Sequence, residues 1–230
     1  MSFVILMQIM FFSFLIGFSG AVTPGPVLAA VIKETPQRGW KTGPLVVLGH
    51  AIIEFILLVG LILGLDVILK STLAELIISL VGGILLCILA SLMLIDVFVK
   101  KISFTKELNR KSIDDQKKSY VPIVNGIVLS LSNPFWIIWW ATIGLGLIYT
   151  ELPPLTVVPI EFGLIGLTIF YFGHILSDLS WYSFISIMIS SGKKWINDRV
   201  YHVILIICAA LLIYLGITFI INGITIWMTI

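Results

Sequence analysis

Apolar residues along this chain fall into six long runs, near 3 to 31, 43 to 65, 73 to 99, 121 to 148, 162 to 190 and 200 to 228, separated by short polar segments. Each is long enough to cross about 30 Å of hydrocarbon, which takes roughly 20 helical residues. The runs do not alternate strictly between polar and apolar positions, so barrel strands are excluded, and a backbone in lipid must then satisfy itself as helix. The predicted fold is all-α: a polytopic membrane bundle of six transmembrane helices. No Lys or Arg precedes Lys33, so the first run lacks the basic flank of a secretory leader and reads as the first span.

Composition agrees with the pattern. With 59% hydrophobic and only 11% charged residues, the chain cannot coat a soluble globule with polar surface. The longest connection, Lys100 to Tyr120, is too short and too charged to hold a core. The expected organisation is a first three-helix unit over 1–99, a basic loop over 100–120 and a second three-helix unit over 121–230. No Gly-x-Ser-x-Gly, His-Glu-x-x-His or Gly-rich phosphate loop is present, so the chain is not expected to be an enzyme.

The net charge of +2 matters through its distribution. Lys33, Arg38 and Lys41 follow the first span; Lys100, Lys101, Lys106, Arg110, Lys111, Lys117 and Lys118 follow the third; Lys193, Lys194 and Arg199 follow the fifth. Only Lys70 lies on the other side. Cationic loops stay in the cytoplasm. The expected topology in the plasma or inner membrane therefore has both termini outside and loops 32–42, 100–120 and 191–199 cytoplasmic. The basic loop reads as a solvated face rather than a nucleic-acid site.

A polar signature occurs twice inside the apolar runs. Thr23-Pro24 is followed by Gly49-His50 and Glu54, and Asn133-Pro134 by Gly173-His174 and Asp178; His50 to His174 and Glu54 to Asp178 are both offset by 124 residues. Cys87 and Cys208, 121 residues apart, extend the correspondence. Because each half holds three helices, the second copy enters the membrane reversed, and the halves are expected to be inverted repeats with a shared site at mid-depth. Glu54 and Asp178 fall near the middle of their spans. A charged carboxylate at the bilayer centre costs about 2.5 to 3.5 kcal/mol on insertion scales, so such groups face a polar cavity or ion pathway. The plain alternative is a structural His–carboxylate bond between residues one turn apart.

The prolines predict breaks in the first and fourth helices. Pro24 and Pro26 cannot donate to the carbonyls of Gly20 and Val22, and Pro134 cannot donate to that of Ser130. Each break should free carbonyls for a cation and begin a half-helix whose amide end favours anions. Thr23, Gly25, Pro26, Ser130, Ser132 and Asn133 join the candidate site on this ground, with an ordinary proline kink as the alternative.

Trp40, Tyr120, Tyr149, Trp195, Tyr201 and Trp227 read as an interfacial belt. His202 reads as a solvated end residue. Trp136, Trp139 and Trp140 share a helical face after the second break; together with Phe135 and Trp181 they are candidates to wall the cavity or to contact a cation. Gly60 and Gly64 form a small-xxx-small pattern suited to an internal helix contact or a homodimer face.

Ala21-Val22-Thr23-Pro24-Gly25-Pro26, the glycines at 39, 43 and 49 leading to Glu54, and Asn133-Pro134 resemble the LysE/RhtB family of amino-acid exporters along essentially the whole chain. That resemblance implies a cation-coupled exporter of amino acids or related small metabolites and is compatible with a homodimer. Two departures bear on the substrate: Phe135 stands where many members carry Lys, and the two histidines are not general in the family.

Proton or sodium is the expected coupling ion, with no cofactor; the partners are the bilayer and a small-molecule substrate. Paired carboxylates in low dielectric resist joint ionisation, which would tie cargo to the coupling ion. A divalent metal is the alternative substrate, held by His50, Glu54, His174 and Asp178. A thiol–disulfide carrier built on Cys87 and Cys208 is a third reading, weakened because neither cysteine has a Cys-x-x-Cys partner.

Overall fold

The computed structural model describes residues 3–23, 25–69, 71–103, 120–149, 157–191 and 197–229. Its helices follow the apolar runs and break ahead of Pro26 and Pro134. α1 (Phe3–Ala21) ends before Val22 and Thr23, which are not helical, and α2 (Pro26–Arg38) restarts with Pro26 in its first turn, where a missing N–H costs little. α3 (Thr42–Gly60) continues through a π-helical turn, Leu61–Leu65, into α4 (Asp66–Leu69). α5 (Thr72–Phe98) is capped by Ser71, whose hydroxyl oxygen accepts the Ala74 N–H at 3.3 Å.

The second half has the same grammar. α6 (Val121–Leu131) and α7 (Pro134–Trp139) are separated at Ser132 and Asn133, and α7 passes through a π-helical turn, Trp140–Gly144, into α8 (Leu145–Tyr149). A 3-10 turn, Pro159–Phe162, leads into α9 (Gly163–Ser191), and α10 (Asp198–Thr229) follows.

Five helical segments among the described residues are long and apolar enough to cross a bilayer: Phe3–Ala21, Thr42–Leu65, Thr72–Phe98, Pro159–Ser191 and Asp198–Thr229. The predicted fourth span is absent from this set because it is divided into α6 and the α7–α8 segment, whereas the first, divided likewise, leaves α1 long enough to cross. Side chains such as Phe55, Ile56, Val81, Phe172 and Tyr214 point outward over the bundle surface, which suits lipid and would be a liability in water. The chain is a multi-pass membrane protein.

α1 packs along α9, α3 along α6 and α5 along α10, while α9 crosses α3. Lipid offers no hydrophobic drive between helices, so close backbone approach at small residues must supply the contact. A β-carbon on Gly49 would lie 1.9 Å from the Ile123 carbonyl oxygen, and one on Gly126 2.1 Å from that of Val46. On the other pair, a β-carbon on Gly173 would lie 2.5 Å from the Met10 carbonyl oxygen.

Three expectations change. Gly64 lies at φ 99 with open space around it and shapes the π turn, and Gly60 faces Leu65 of the same segment, so the internal helix contact expected of this pattern is not made among the described residues. Tyr201 is buried, its hydroxyl donating to the Lys33 carbonyl at 3.1 Å. His202 is half-buried, and its Nε2 donates to the Ile102 carbonyl at 2.5 Å. Trp40, Tyr120, Tyr149 and Trp227 are exposed as an interfacial belt requires; Trp195 lies outside the described residues.

The basic end of the bundle is laced by ion pairs. Asp96 on α5 accepts from Lys33 of α2 and, at 2.7 Å, from Lys100. Glu34 accepts from Asn125 of α6 and pairs with Arg38 at 3.2 Å.

Candidate functional site

His50 and Glu54 stand one turn apart on α3, and His174 and Asp178 one turn apart on α9, so the crossing of these helices brings all four together. His174 Nε2 lies 2.9 Å from Glu54 Oε1, and His50 Nε2 lies 3.3 Å from Glu54 Oε2. Asp178 Oδ2 is 3.6 Å from His50 Nε2 and 3.8 Å from His174 Nε2. Each histidine therefore faces one carboxylate of its own helix and one of the other. Exposure is 6% for His50, 0% for Glu54, 4% for His174 and 3% for Asp178.

The cluster's proton arrangement follows from its neighbours. Ser130 Oγ, buried on α6, lies 2.5 Å from the Gly126 carbonyl, which can only accept, so the one serine proton is directed there. His50 Nδ1, 2.6 Å from the same Oγ, must then be the donor. That leaves His50 Nε2 as the nitrogen turned towards the two carboxylates. On the opposite side the Trp140 indole N–H, a donor only, donates to Glu54 Oε1. Glu54 Oε2 and Asp178 Oδ2 have no hydrogen-bond donor among the described residues. Uncompensated carboxylate oxygens in an apolar interior call for positive charge, carried by an imidazolium, a proton or a bound cation.

One nitrogen or oxygen from each of His50, Glu54 and Asp178 lies within 4.8 Å of the others, a mixed N/O set that a cation can accept. His174, expected in the same set, instead has its Nε2 committed to Glu54.

A cavity of about 40 Å³ adjoins the cluster, lined by Gly20, Ala21, Thr23, Gly25 and Val27 of the first break, Asn133, Phe135, Trp136 and Trp139 of the second, and His50, His174, Asp178 and Tyr182. That volume holds about three waters. Trp136 lies 5.7 Å from the His50 ring, and Trp139 and Trp140 lie 4.8 and 4.9 Å from that of His174. The tilted rings of Trp136 and Trp139 are placed to stabilise an imidazolium or another cation, whereas Trp140 meets His174 in a T-shaped contact.

The two breaks meet: Asn133 Nδ2 lies 3.4 Å from where a β-carbon on Gly25 would stand. Two of the carbonyls the prolines release are not left open, however. The Gly20 carbonyl accepts the Thr23 N–H at 3.1 Å, and the Ser130 carbonyl accepts the Asn133 N–H at 3.0 Å, each closing a tight turn. Thr23 turns its hydroxyl back to the Ser19 carbonyl at 2.7 Å, and Ser132 to that of Leu129 at 3.1 Å.

Of the other candidates, Glu54 and Ser130 are fully buried behind the cavity wall, and Pro26 is buried in the first turn of α2. Pro134 packs against Gly82 of α5. Trp181 does not line the cavity; it stacks on Phe184 at 6.1 Å. Pro24 lies outside the described residues.

Sequence reasoning missed Tyr182 and Tyr171 and stopped short of Trp140's bond to Glu54. Tyr182 continues the His174–Asp178 spacing by one more turn and could have been found that way. Tyr171, whose hydroxyl donates to the Ala51 carbonyl at 2.6 Å and ties α9 to α3, had no local signal.

Neither the curated proteins nor the solved structures contain a match to this chain. Residues 18–223, which take in both helix breaks and the whole His–carboxylate cluster, match the family described as LysE type translocator, and the chain belongs to that family.

Proposed function

We propose that this chain is a secondary active exporter of amino acids or related small metabolites in the plasma or inner membrane, coupled to proton or sodium and working by alternating access. The observation that carries the reading is the meeting of His50–Glu54 and His174–Asp178, buried beside a cavity between two broken helices. Membership of a translocator family supports it. A zwitterion's ammonium group matches the donor-free Asp178 Oδ2. Its carboxylate matches the start of α2 and the Asn133 amide.

Helix pairing supports two inverted repeats, 1–99 and 121–230. Exchanging the halves turns the α1–α9 contact into the α6–α3 contact and maps the α5–α10 contact onto itself. Gly20 and Thr23 stand to Ser130 and Asn133 at one constant spacing, and both pairs close the same turn. With room for only about three waters, the cavity is too small for all but the smallest amino acids, so transport requires its walls to move, one repeat rocking against the other. The charge bias of the loops supports both termini outside.

The His50, Glu54 and Asp178 donor set favours one second reading, a divalent metal ion as the exported substrate. Counterflow in liposomes against amino acids and divalent metals tests both. Exchange of an amino acid without added metal, lost by about 100-fold or more in Glu54→Gln and Asp178→Asn, is expected. Full transport in both variants overturns the role of the cluster, and transport of metal alone overturns the amino-acid reading.

A further inference from the structure

Glu54 and Asp178 are equivalent in the sequence repeat, yet their surroundings differ. Glu54 Oε1 accepts from the Trp140 indole and from His174 Nε2, and the whole side chain is sealed from the cavity. Glu54 Oε2 and Asp178 Oδ2 both lack a hydrogen-bond donor among the described residues, but only Asp178 lines the cavity, and its Oδ2 lies 3.6 and 3.8 Å from the two histidines, whereas His50 Nε2 stands 3.3 Å from Glu54 Oε2.

Trp140 stands at the origin of the difference. Its N–H can only donate, so Glu54 Oε1 must accept, and its ring lies edge-on to His174 at 4.9 Å, on the imidazole that donates to the same oxygen. A histidine held there cannot also serve Asp178, 3.8 Å away. Trp140 begins the π-helical turn Trp140–Gly144, and turns of this kind re-aim side chains at functional sites. Its backbone irregularity and its side-chain bond thus point to one purpose.

We propose that Trp140 is a positioning residue that divides the labour of the two carboxylates: it locks Glu54 and His174 together as a fixed anchor and leaves Asp178 to receive the positive charge of cargo or coupling cation. The assignment of Asp178 to that charge rests on the exporter reading; the inequality of the two carboxylates does not.

The test has one arm free of transport. Purified wild-type protein in detergent is treated with dicyclohexylcarbodiimide, which adds to carboxyl groups in apolar surroundings that are not held by donors, and adducts are located by peptide mass. Labelling of Asp178 over Glu54 by about five-fold or more is expected, since a hydrogen bond to a charged group is worth about that much or more. In Trp140→Phe, which keeps most of the ring and removes the N–H, the ratio should fall at least about three-fold. Equal labelling in the wild type overturns the proposal, even if Trp140→Phe fails to fold, and so does an unchanged ratio in a folded Trp140→Phe.

In the second arm, Trp140→Phe should raise the KM of a counterflow substrate about ten-fold with kcat within about two-fold, the signature of weakened binding. A purely packing role would leave that split unmoved and overturns the proposal. If the wild type exchanges no compound, the exporter reading fails while the labelling ratio still decides the role of Trp140.

Discussion

Gly49 rests on the backbone of Ile123 so closely that a β-carbon there would lie 1.9 Å from the Ile123 carbonyl oxygen. Gly126 returns the contact against Val46 one turn further along α6. This crossing seats His50, the residue after Gly49, on Ser130, one turn beyond Gly126. Gly49→Ala and Gly126→Ala should each cost about 3 kcal/mol or more, at or above the usual range for overpacking, because a helix carbonyl cannot rotate away. Gly146→Ala, where nothing stands within 4 Å of the new methyl, should leave stability unchanged or slightly higher. Thermal unfolding in detergent separates these outcomes; equal midpoints for all three would contradict the packing described.

Ser130→Ala removes the acceptor that holds the His50 proton on Nδ1. Both tautomers then become available, and Nε2 no longer faces the carboxylates in one defined state. Transport should drop about ten-fold, in line with the loss of a partner that orients a functional histidine. Stability should change by only about 1 kcal/mol, the worth of one hydrogen bond. Ser130→Thr, which keeps the hydroxyl, should recover much of the rate; failure to recover would point to packing instead.

Asp96, with a side chain 7% exposed, holds Lys33 and Lys100, whose own side chains are 39% and 63% exposed. Asp96→Asn should destabilise by about 1 to 3 kcal/mol, because it weakens a charged tie between α2 and α5 that is shielded from water on the aspartate side. Lys33→Met should cost more than Lys100→Met, which belongs with exposed pairs worth about 1 kcal/mol or less. Melting at low and high salt would measure this; an equal effect of the two lysine variants would count against a shielded pair.

Cys87 is half-buried and Cys208 buried, and both are free thiols. The γ-sulfur of Cys87 would stand 2.6 Å from a β-carbon on Gly216, so the residue serves as a small wall between α5 and α10. The double Cys→Ala variant should transport like the wild type while losing about 1 to 2 kcal/mol of packing. Loss of activity at intact stability would revive thiol–disulfide chemistry.

Much of this was legible along the chain. The apolar runs located the helices because crossing lipid demands length and continuous hydrophobicity, and both are linear properties. The breaks ahead of Pro26 and Pro134 were readable because proline withholds a donor from a known carbonyl. Less legible was what the released carbonyls of Gly20 and Ser130 would do. Their closure by Thr23 and Asn133 depends on how tightly the chain turns, and no residue type dictates that. Trp181 misled because proximity to Asp178 in sequence does not set direction on a helix, whereas Tyr182, one turn on from Asp178, lines the cavity.

The sequence by itself determined that this is a membrane bundle, where its helices break, and which His–carboxylate pairs repeat, since hydropathy, proline chemistry and spacing act within a few turns of chain. Only the tertiary structure decided that the two carboxylates are unequal. Glu54 is held by Trp140, 86 residues away, and His50 by Ser130, 80 residues away. Hydrogen bonds of that reach exist only once α3, α6, α7 and α9 have packed, and their geometry, not the residue pattern, leaves Asp178 as the carboxylate facing the cavity.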